Sequence, residues 1–220
     1  MLNTHKTFAL TAAILFSIPL HAVPFWWETI KNPKQVGAVF QCTSAVGEEL
    51  VRFLKEHVGS KRILELGAGK GPITEVICKY LGKDDVFDII EIDPAYCVDL
   101  YEKFGKVPQA HIHCADALEF CSDPYDFIIC TLPFNVFELG IIRKLQTHII
   151  KLAKPSSYVS YVEYRFLSEL RTFFANKQRR TILELRRALM SEFKNKYLVK
   201  TNCVLRNVPP IYIHHLRIEK

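Results

Sequence analysis

Short apolar runs alternate with amphipathic segments along most of the chain. The apolar runs are rich in β-branched and aromatic residues, and they predict strands at residues 62–66, 86–92, 110–114, 125–132 and 157–162. Helical periodicity predicts helices at residues 36–58, 72–81, 94–104 and 137–153, with a short turn at residues 117–120. Because apolar strands alternate with helices, the sequence predicts a parallel sheet covered by helices on both faces.

The pattern changes after residue 168. A long basic helical stretch runs to about residue 195, and two strand-like runs follow at residues 198–206 and 211–218. We expect these two runs to form a terminal antiparallel hairpin on the same sheet, joined through residues 207–210.

A glycine-rich loop separates the first predicted strand from the helix that begins at residue 72. The loop reads G-A-G-K-G over residues 67–71, and Pro72 takes the first helical position. Ligands of open parallel sheets bind at the carboxyl ends of the strands, where glycines let the backbone come close. The dinucleotide pattern G-x-G-x-x-G requires glycine where Pro72 stands, so the loop departs from the NAD-binding fingerprint.

Polar residues follow the first four strands at one predicted edge of the sheet. Glu65 precedes the glycine loop, Glu91 ends the second strand, Asp116 follows the third, and T-L-P-F-N at residues 131–135 follows the fourth. We expect Glu91 to accept hydrogen bonds from both hydroxyls of a ribose and Asp116 to accept one from an adenine amine. Each acid alone is an ordinary residue at the end of a strand. Because all of them follow successive strands at the same predicted edge of the sheet, together they predict a site for a nucleoside cofactor.

The composition allows one domain with appendages, and the charged residues are unevenly distributed along the chain. The chain has 220 residues, 49% of them hydrophobic, which is enough for a buried core. Residues 143–220 hold 17 Lys and Arg against 5 Asp and Glu, whereas the first 142 residues hold 12 against 18. The basic part predicts contact with nucleic acid or an anionic membrane surface, or an ordinary solvated surface.

The two signals for cellular compartment disagree. The seven cysteines include no C-x-x-C pair and no metal-ligand spacing, which predicts reduced cysteines and no metal site. The N-terminus instead carries an apolar run at residues 8–20 and a small-residue site near Ala22, as secretory signals do. Residues 1–22 are therefore interpreted as a signal peptide, a membrane anchor or a buried helix. Residues 23–60 are interpreted as a helical lead-in and residues 61–220 as the catalytic domain.

The motifs E-L-G-A-G-K-G, E-I-D-P, A-D-A-L and T-L-P-F-N, at residues 65–71, 91–94, 115–118 and 131–135, resemble class I S-adenosylmethionine-dependent methyltransferases. The resemblance implies a Rossmann-like α/β fold: a seven-stranded, mostly parallel sheet with helices on both faces and a C-terminal antiparallel hairpin. It also implies S-adenosyl-L-methionine as cofactor. The residues that it assigns to cofactor binding are Glu65, Gly67, Gly69, Gly71, Glu91, Ile92, Asp116, Ala117 and Thr131.

The fourth-strand motif resembles the N-L-P-Y-N signature of ribosomal RNA adenine dimethylases. In that family the Asn and the Pro backbone accept hydrogen bonds from the target amine, and the aromatic ring stacks on the base. Here Thr131 replaces the Asn and Phe134 replaces the Tyr. Because Thr131 has a hydroxyl and no carboxamide, we expect it to hydrogen-bond a planar amine less well than Asn does. RNA is therefore the alternative acceptor.

Two other segments resemble bacterial phospholipid N-methyltransferases. They are N-P-K-Q-V-G-A-V at residues 32–39 and R-N-V-P-P at residues 206–210. This resemblance implies methylation of an amine headgroup, most simply phosphatidylethanolamine, at an anionic membrane surface. Thr131, Pro133 and Tyr161 are the predicted catalytic residues. We expect membrane association on the cytoplasmic side, or export after cleavage near Ala22.

Overall fold

The computed structural model describes residues 44–163, 177–205 and 210–220. Its strands are β1 (Arg62–Leu66), β2 (Val86–Glu91), β3 (Ala110–Cys114), β4 (Tyr125–Cys130), β5 (Ala153–Glu163), β6 (Leu198–Val204) and β7 (Ile211–Ile218). They form one sheet in the order β3-β2-β1-β4-β5-β7-β6. The pairs among β1 to β5 are parallel, whereas β7 runs antiparallel to both β5 and β6.

Helices cover both faces of this sheet. They are α1 (Ser44–Leu50), α2 (Arg52–Lys55), α3 (Pro72–Cys78), α4 (Pro94–Phe104), α5 (Leu139–Leu152) and α6 (Lys177–Tyr197). Successive strand residues point to opposite faces, so Ile63 of β1 joins the core beneath α1, α3 and α4, and Leu64 joins the core beneath α5 and α6. The burial on both faces explains why β1, β2 and β4, at the centre of the sheet, are largely apolar along their length.

The order of the strands creates a switch point beside β1. From β1 the chain moves outward to β2 and β3, and it then returns to form β4 on the other side of β1. Crevices that bind ligands open at such a point, outside the carboxyl ends of the strands. The loop over residues 67–71 and the motif over residues 131–135 both begin there, because β1 and β4 are parallel neighbours.

The structure confirms the predicted fold class, including the C-terminal antiparallel strands. Several bounds differ from the sequence prediction. The lead-in helix predicted from residue 36 is described from Ser44 and is interrupted at Val51, and α3 ends at Cys78. Strand β5 begins at Ala153, immediately after α5, because Ala153 already pairs with Tyr125 of β4. The segment at residues 206–209 lies outside the described residues.

Two cysteines that were expected to be reduced are paired. Cys97 of α4 and Cys114 at the end of β3 form a disulfide, with their Cα atoms 5.8 Å apart. The crossover from β2 through α4 to β3 brings the first turn of the helix beside the end of the strand. The two cysteines are 17 residues apart and belong to no cysteine motif, so the sequence did not predict this disulfide.

Within the described ranges, no helix has the length and apolarity that crossing a bilayer requires. Residues 1–22, on which the signal or anchor prediction rests, lie outside those ranges. The predicted localisation therefore stays a prediction.

Replacing Gly71 by Ala should lower the free energy of unfolding by about 1–3 kcal/mol. Gly71 has a φ of 84°, and an added Cβ would lie 2.5 Å from Cε2 of Phe104 and 3.0 Å from Cδ2 of Leu100. Denaturant unfolding without ligand measures the change. Gly140→Ala in α5 is the matched control, because a Cβ there meets no atom within 4 Å and alanine favours helix. Equal stability of the two variants would contradict this packing.

Candidate cofactor and acceptor site

The glycine loop keeps one side of its backbone open. Gly67, Gly69 and Gly71 all have left-handed φ angles, of 83°, 57° and 84°. A Cβ on Gly67 would collide with Leu132, 2.6 Å away, whereas a Cβ on Gly69 would meet no heavy atom within 4 Å. The first and third glycines therefore allow close packing, and Gly69 leaves space where a ligand can approach the backbone.

The carboxylate of Glu91 joins the glycine loop to the end of β2. Its Oε2 accepts a hydrogen bond from the Gly69 N–H at 2.7 Å, and its Oε1 accepts from the N–H groups of Ile92 and Asp93, both at 2.8 Å. Burial raises the pKa of Glu91, and these backbone donors oppose the shift. With the Gly69 N–H as its donor, Oε2 keeps acceptor capacity for a hydroxyl, such as the ribose hydroxyl expected from the sequence.

The end of β3 lies beside Glu91. The Ala115 N–H donates to the Glu91 carbonyl at 2.9 Å, so the next residues turn at the same edge. Oδ1 of Asp116 accepts from the Leu118 N–H at 2.9 Å, and Ala117 is buried. The structure thus brings Ile92, Asp116 and Ala117 together with Glu91, as expected.

Glu65 lies away from the open side of the site. It is fully buried, and its Oε2 accepts a hydrogen bond from Thr74 Oγ1 of α3 at 2.7 Å. Burial raises the pKa of Glu65 to about 8, and the nearby charge of Glu91 adds to the increase. The side chain is therefore mostly neutral at pH 7. Sequence reasoning expected a charged acid at the cofactor edge and did not foresee this burial.

Thr131 joins residues 131–135, called the acceptor motif from here on, to the glycine loop by hydrogen bonds. Its Oγ1 donates to the Gly67 carbonyl at 2.6 Å, and its N–H donates to the Leu66 carbonyl at 3.0 Å. The hydroxyl oxygen retains lone pairs, so it can still accept a hydrogen bond from an amine. The Pro133 carbonyl accepts from the Val136 N–H at 3.0 Å and also has a second lone pair.

Arg186 of α6 holds the other end of the acceptor motif. Its Nη1 donates to the Asn135 carbonyl at 2.9 Å and its Nη2 to the Phe137 carbonyl at 2.8 Å. In the sequence, Arg186 is one of several basic residues in the long helical stretch that ends near residue 195, and nothing there predicts this role. The separation of about 50 residues leaves no local signal for the contact.

Tyr161, a predicted catalytic residue, lies behind the acceptor motif. It is 1% exposed, and its ring packs edge-on against Phe134 with centroids 5.4 Å apart. Burial, followed by the charge of Glu163, raises the pKa of Tyr161 well above its usual range, so the phenol stays protonated. Phe134 is itself only 5% exposed, so stacking on a base would require its ring to move.

Glu163 at the end of β5 forms a separate polar cluster. Its Oε2 is 2.7 Å from Nε2 of His214 and 2.9 Å from Nζ of Lys194. Burial by itself would raise the pKa of Glu163, but hydrogen bonds from His214 and Lys194 outweigh burial and lower it to about 2. The carboxylate is therefore ionised and paired, which makes it a poor proton acceptor.

These residues fit S-adenosylmethionine. Gly69 exposes its backbone to open space, Glu91 retains acceptor capacity, and the acidic edge suits the positive sulfonium and amine of this cofactor. Among the described residues, no group of three or more His, Cys, Asp or Glu side chains is arranged for a metal ion.

No protein-family model matches the chain. Among curated relatives, the "Probable ribosomal RNA small subunit methyltransferase A" of Methanosarcina barkeri is 36% identical over 90 residues, or 41% of this chain. The rRNA adenine N-6-methyltransferase of Streptomyces fradiae is 28% identical over 107 residues, or 49% of this chain. Each match spans 30% of the relative's own length.

Solved structures share the fold at low sequence identity. PH1948 from Pyrococcus horikoshii superposes with a TM-score of 0.61 at 15% identity and covers both chains fully. The N-methyltransferase NodS from Bradyrhizobium japonicum, bound to S-adenosyl-L-homocysteine, superposes with a TM-score of 0.59 at 14% identity. That superposition covers 82% of this chain and 90% of NodS.

The chain has the class I S-adenosylmethionine-dependent methyltransferase fold, and the two curated relatives described above are ribosomal RNA methyltransferases by name. The predicted enzyme class and cofactor are confirmed. The predicted phospholipid acceptor is wrong, because the relatives act on ribosomal RNA by name. That prediction rested mainly on residues 32–39 and 206–210, and only Pro210 of these is described. The motif beginning at Thr131, by contrast, lies at the site.

Glu65→Gln should flatten the dependence of stability on pH. The folded pKa of Glu65 is about 8 against an ordinary 4.5, so between these values the folded state retains a proton that the unfolded chain has lost. Wild-type stability should therefore fall as pH rises through this range, by up to about 1.4 kcal/mol per pH unit from this group. Denaturant unfolding at pH 5, 6, 7 and 8 measures both proteins. If the free energy of unfolding changed with pH equally in both proteins, Glu65 would be ionised in the folded state.

Proposed function

We propose that this chain transfers a methyl group from S-adenosylmethionine to N6 of an adenine in RNA. The observation that carries the proposal is the placement of T-L-P-F-N directly after β4, hydrogen-bonded to the glycine loop. The ribosomal RNA methyltransferase relatives support the same acceptor. Each sequence match covers only part of the relative's length. The proposed acceptor therefore rests mainly on the hydrogen-bonding groups of residues 131–135.

The proposed cofactor residues are those of the glycine loop and the strand ends. Gly67, Gly69 and Gly71 form the backbone cradle, and Glu91 accepts from the ribose. Ile92, Asp116 and Ala117 surround the adenine of the cofactor, and Thr131 joins this half of the site to the acceptor. When bound, the cofactor supplies an electrophilic methyl group. Glu65, as a neutral acid, joins β1 to the helix that follows the loop through its hydrogen bond with Thr74 of α3.

The acceptor residues are proposed to act by orientation. Thr131 Oγ1 and the Pro133 carbonyl accept the two N–H groups of the adenine amine, which directs its nitrogen toward the cofactor. Accepting both protons also increases electron density on a nitrogen whose lone pair is delocalised into the ring. Arg186 keeps the motif in place through the carbonyls of Asn135 and Phe137. Tyr161 packs beneath Phe134 and is assigned a positioning role.

Glu91→Ala should weaken S-adenosylmethionine binding by roughly 1–3 kcal/mol, because it removes a charged acceptor from a ribose diol. It also leaves the N–H groups of Gly69, Ile92 and Asp93 without their partner, so stability must be measured in parallel. Titration calorimetry measures the affinity, and Glu75→Ala, an exposed acid of α3, is the control. Unchanged affinity in a folded Glu91→Ala protein would exclude Glu91 from the site.

Methyl transfer to RNA tests the acceptor directly. The full chain, labelled S-adenosylmethionine and unmodified small-subunit ribosomal RNA should yield labelled N6-methyladenosine or its dimethylated form after nuclease digestion. Thr131→Ala should lower the turnover by at least about tenfold through lost orientation while leaving most cofactor affinity intact. Ser60→Ala is the matched control, because it removes a hydroxyl from an exposed residue in the loop before β1, at the opposite end of that strand. Label found in phospholipid, with none in RNA, would overturn the proposal.

A further inference from the structure

A line of exposed basic side chains follows one side of α5. We call it the α5 stripe and define it as Arg143, Lys144 and Lys151. Positions 143 and 151 are eight residues apart, and positions 144 and 151 are seven apart, so all three lie on one side of the helix. The stripe borders a cleft of about 360 Å³ lined by Leu118, Arg143, Lys144, Thr147, His148 and Lys151.

The cations of the α5 stripe form no ion pair among the described residues, and Arg143 also borders a neighbouring cleft that contains Glu192 and Lys196. Within the described part of the chain, none of its three cations has a carboxylate within 4.0 Å, and the lining of the 360 Å³ cleft contains no acid. A cleft beside α1 and α2 shows the opposite arrangement. There Arg52 pairs with Glu49 at 2.6 Å and Lys55 with Glu48 at 2.9 Å.

A fourth cation lies at the far end of the stripe. Nζ of Lys220 donates to the Ala153 carbonyl at 2.6 Å, just beyond the C-terminus of α5. It is also 3.5 Å from the carbonyl of Lys151. Lys154, the other basic residue there, is instead paired with Asp126 at 2.8 Å. The positive charge of the stripe therefore continues just past the C-terminus of the helix.

The stripe starts near the acceptor motif and leads away from it. Helix α5 begins at Leu139, four residues after the motif at residues 131–135, and Leu118 of the cleft follows the turn that contains Asp116. His148 fixes α5 to this turn through a 2.8 Å contact between its Nε2 and the Phe120 carbonyl. From Arg143 to Lys151 the helix rises about 12 Å, the length over which a stacked strand carries roughly three to four phosphates.

We propose that the α5 stripe binds the sugar–phosphate backbone of the RNA strand whose adenine enters the acceptor motif. The inference rests on the proposed function and adds to it the surface that holds the flanking nucleotides. The contacts are to phosphates, so they position the strand without reading its bases. A basic cleft with no acid and an open lining suits a continuous polyanion, and it leads to the edge where the methyl group is transferred.

The test measures how RNA affinity depends on salt. The variant R143Q/K144Q/K151Q and the wild type are titrated by fluorescence anisotropy with a labelled 20-nucleotide single-stranded RNA from about 50 to 200 mM salt. Losing three phosphate contacts should make the slope of log Kobs against log salt less negative by about 2. The matched control is K79Q/K83Q/K106Q, which removes three exposed lysines on the side of α3 and α4. It should retain the wild-type slope.

Three further measurements separate the possible failures. If the stripe variant keeps the wild-type slope while methyl transfer to RNA continues, the stripe is overturned and the proposed function stands. If wild type binds RNA through the stripe yet transfers no methyl group to it, the proposed acceptor is overturned and the RNA-binding surface stands. Loss of binding to phosphatidylglycerol vesicles with unchanged RNA affinity would reassign the stripe to a membrane. Calorimetry with S-adenosylmethionine should show unchanged affinity in both variants.

Discussion

The buried carboxylate of Glu91 is the interaction on which the geometry of the site depends. It accepts hydrogen bonds from the N–H groups of Gly69, Ile92 and Asp93, and thereby joins the loop after β1 to the end of β2. A buried charge without such donors would be costly, and the donors without the charge would be unsatisfied. The same group therefore shapes the glycine loop and presents acceptor capacity at the edge where a nucleoside binds.

The acceptor motif is fixed at both ends by contacts that its own sequence does not contain. Thr131 binds the Gly67 carbonyl, and Arg186 of the distant helix α6 binds the carbonyls of Asn135 and Phe137. The contacts from Arg186 end on backbone carbonyls, so they do not depend on the side chains of the motif, whereas the contact with Gly67 requires the hydroxyl of Thr131. Thr at the first position of the motif therefore holds the loop against the cofactor edge through its own side chain.

The ionisable groups behind the motif are structural. Glu163 is held ionised by His214 and Lys194, and Tyr161 is kept protonated by burial. Neither is suited to exchange protons near pH 7. Methyl transfer to an amine depends mainly on orientation and exclusion of water, so a site without a free general base in these residues is consistent with that chemistry.

Periodicity alone determined the strands, their alternation with helices and the hairpin, because buried parallel strands must be apolar on both faces. The order of polar residues at the strand ends likewise located Glu91, Asp116 and Thr131, since parallel strands end at one edge. Tertiary structure alone decided the neutral state of Glu65, the hydrogen bonds from Arg186 to the acceptor motif and the pairing of Cys97 with Cys114. These depend on which distant segments meet and on how deeply they are buried, and neither is encoded in local spacing. The first choice of acceptor was wrong for a related reason: it gave weight to flanking segments, whereas the acceptor is selected by groups that converge at the site.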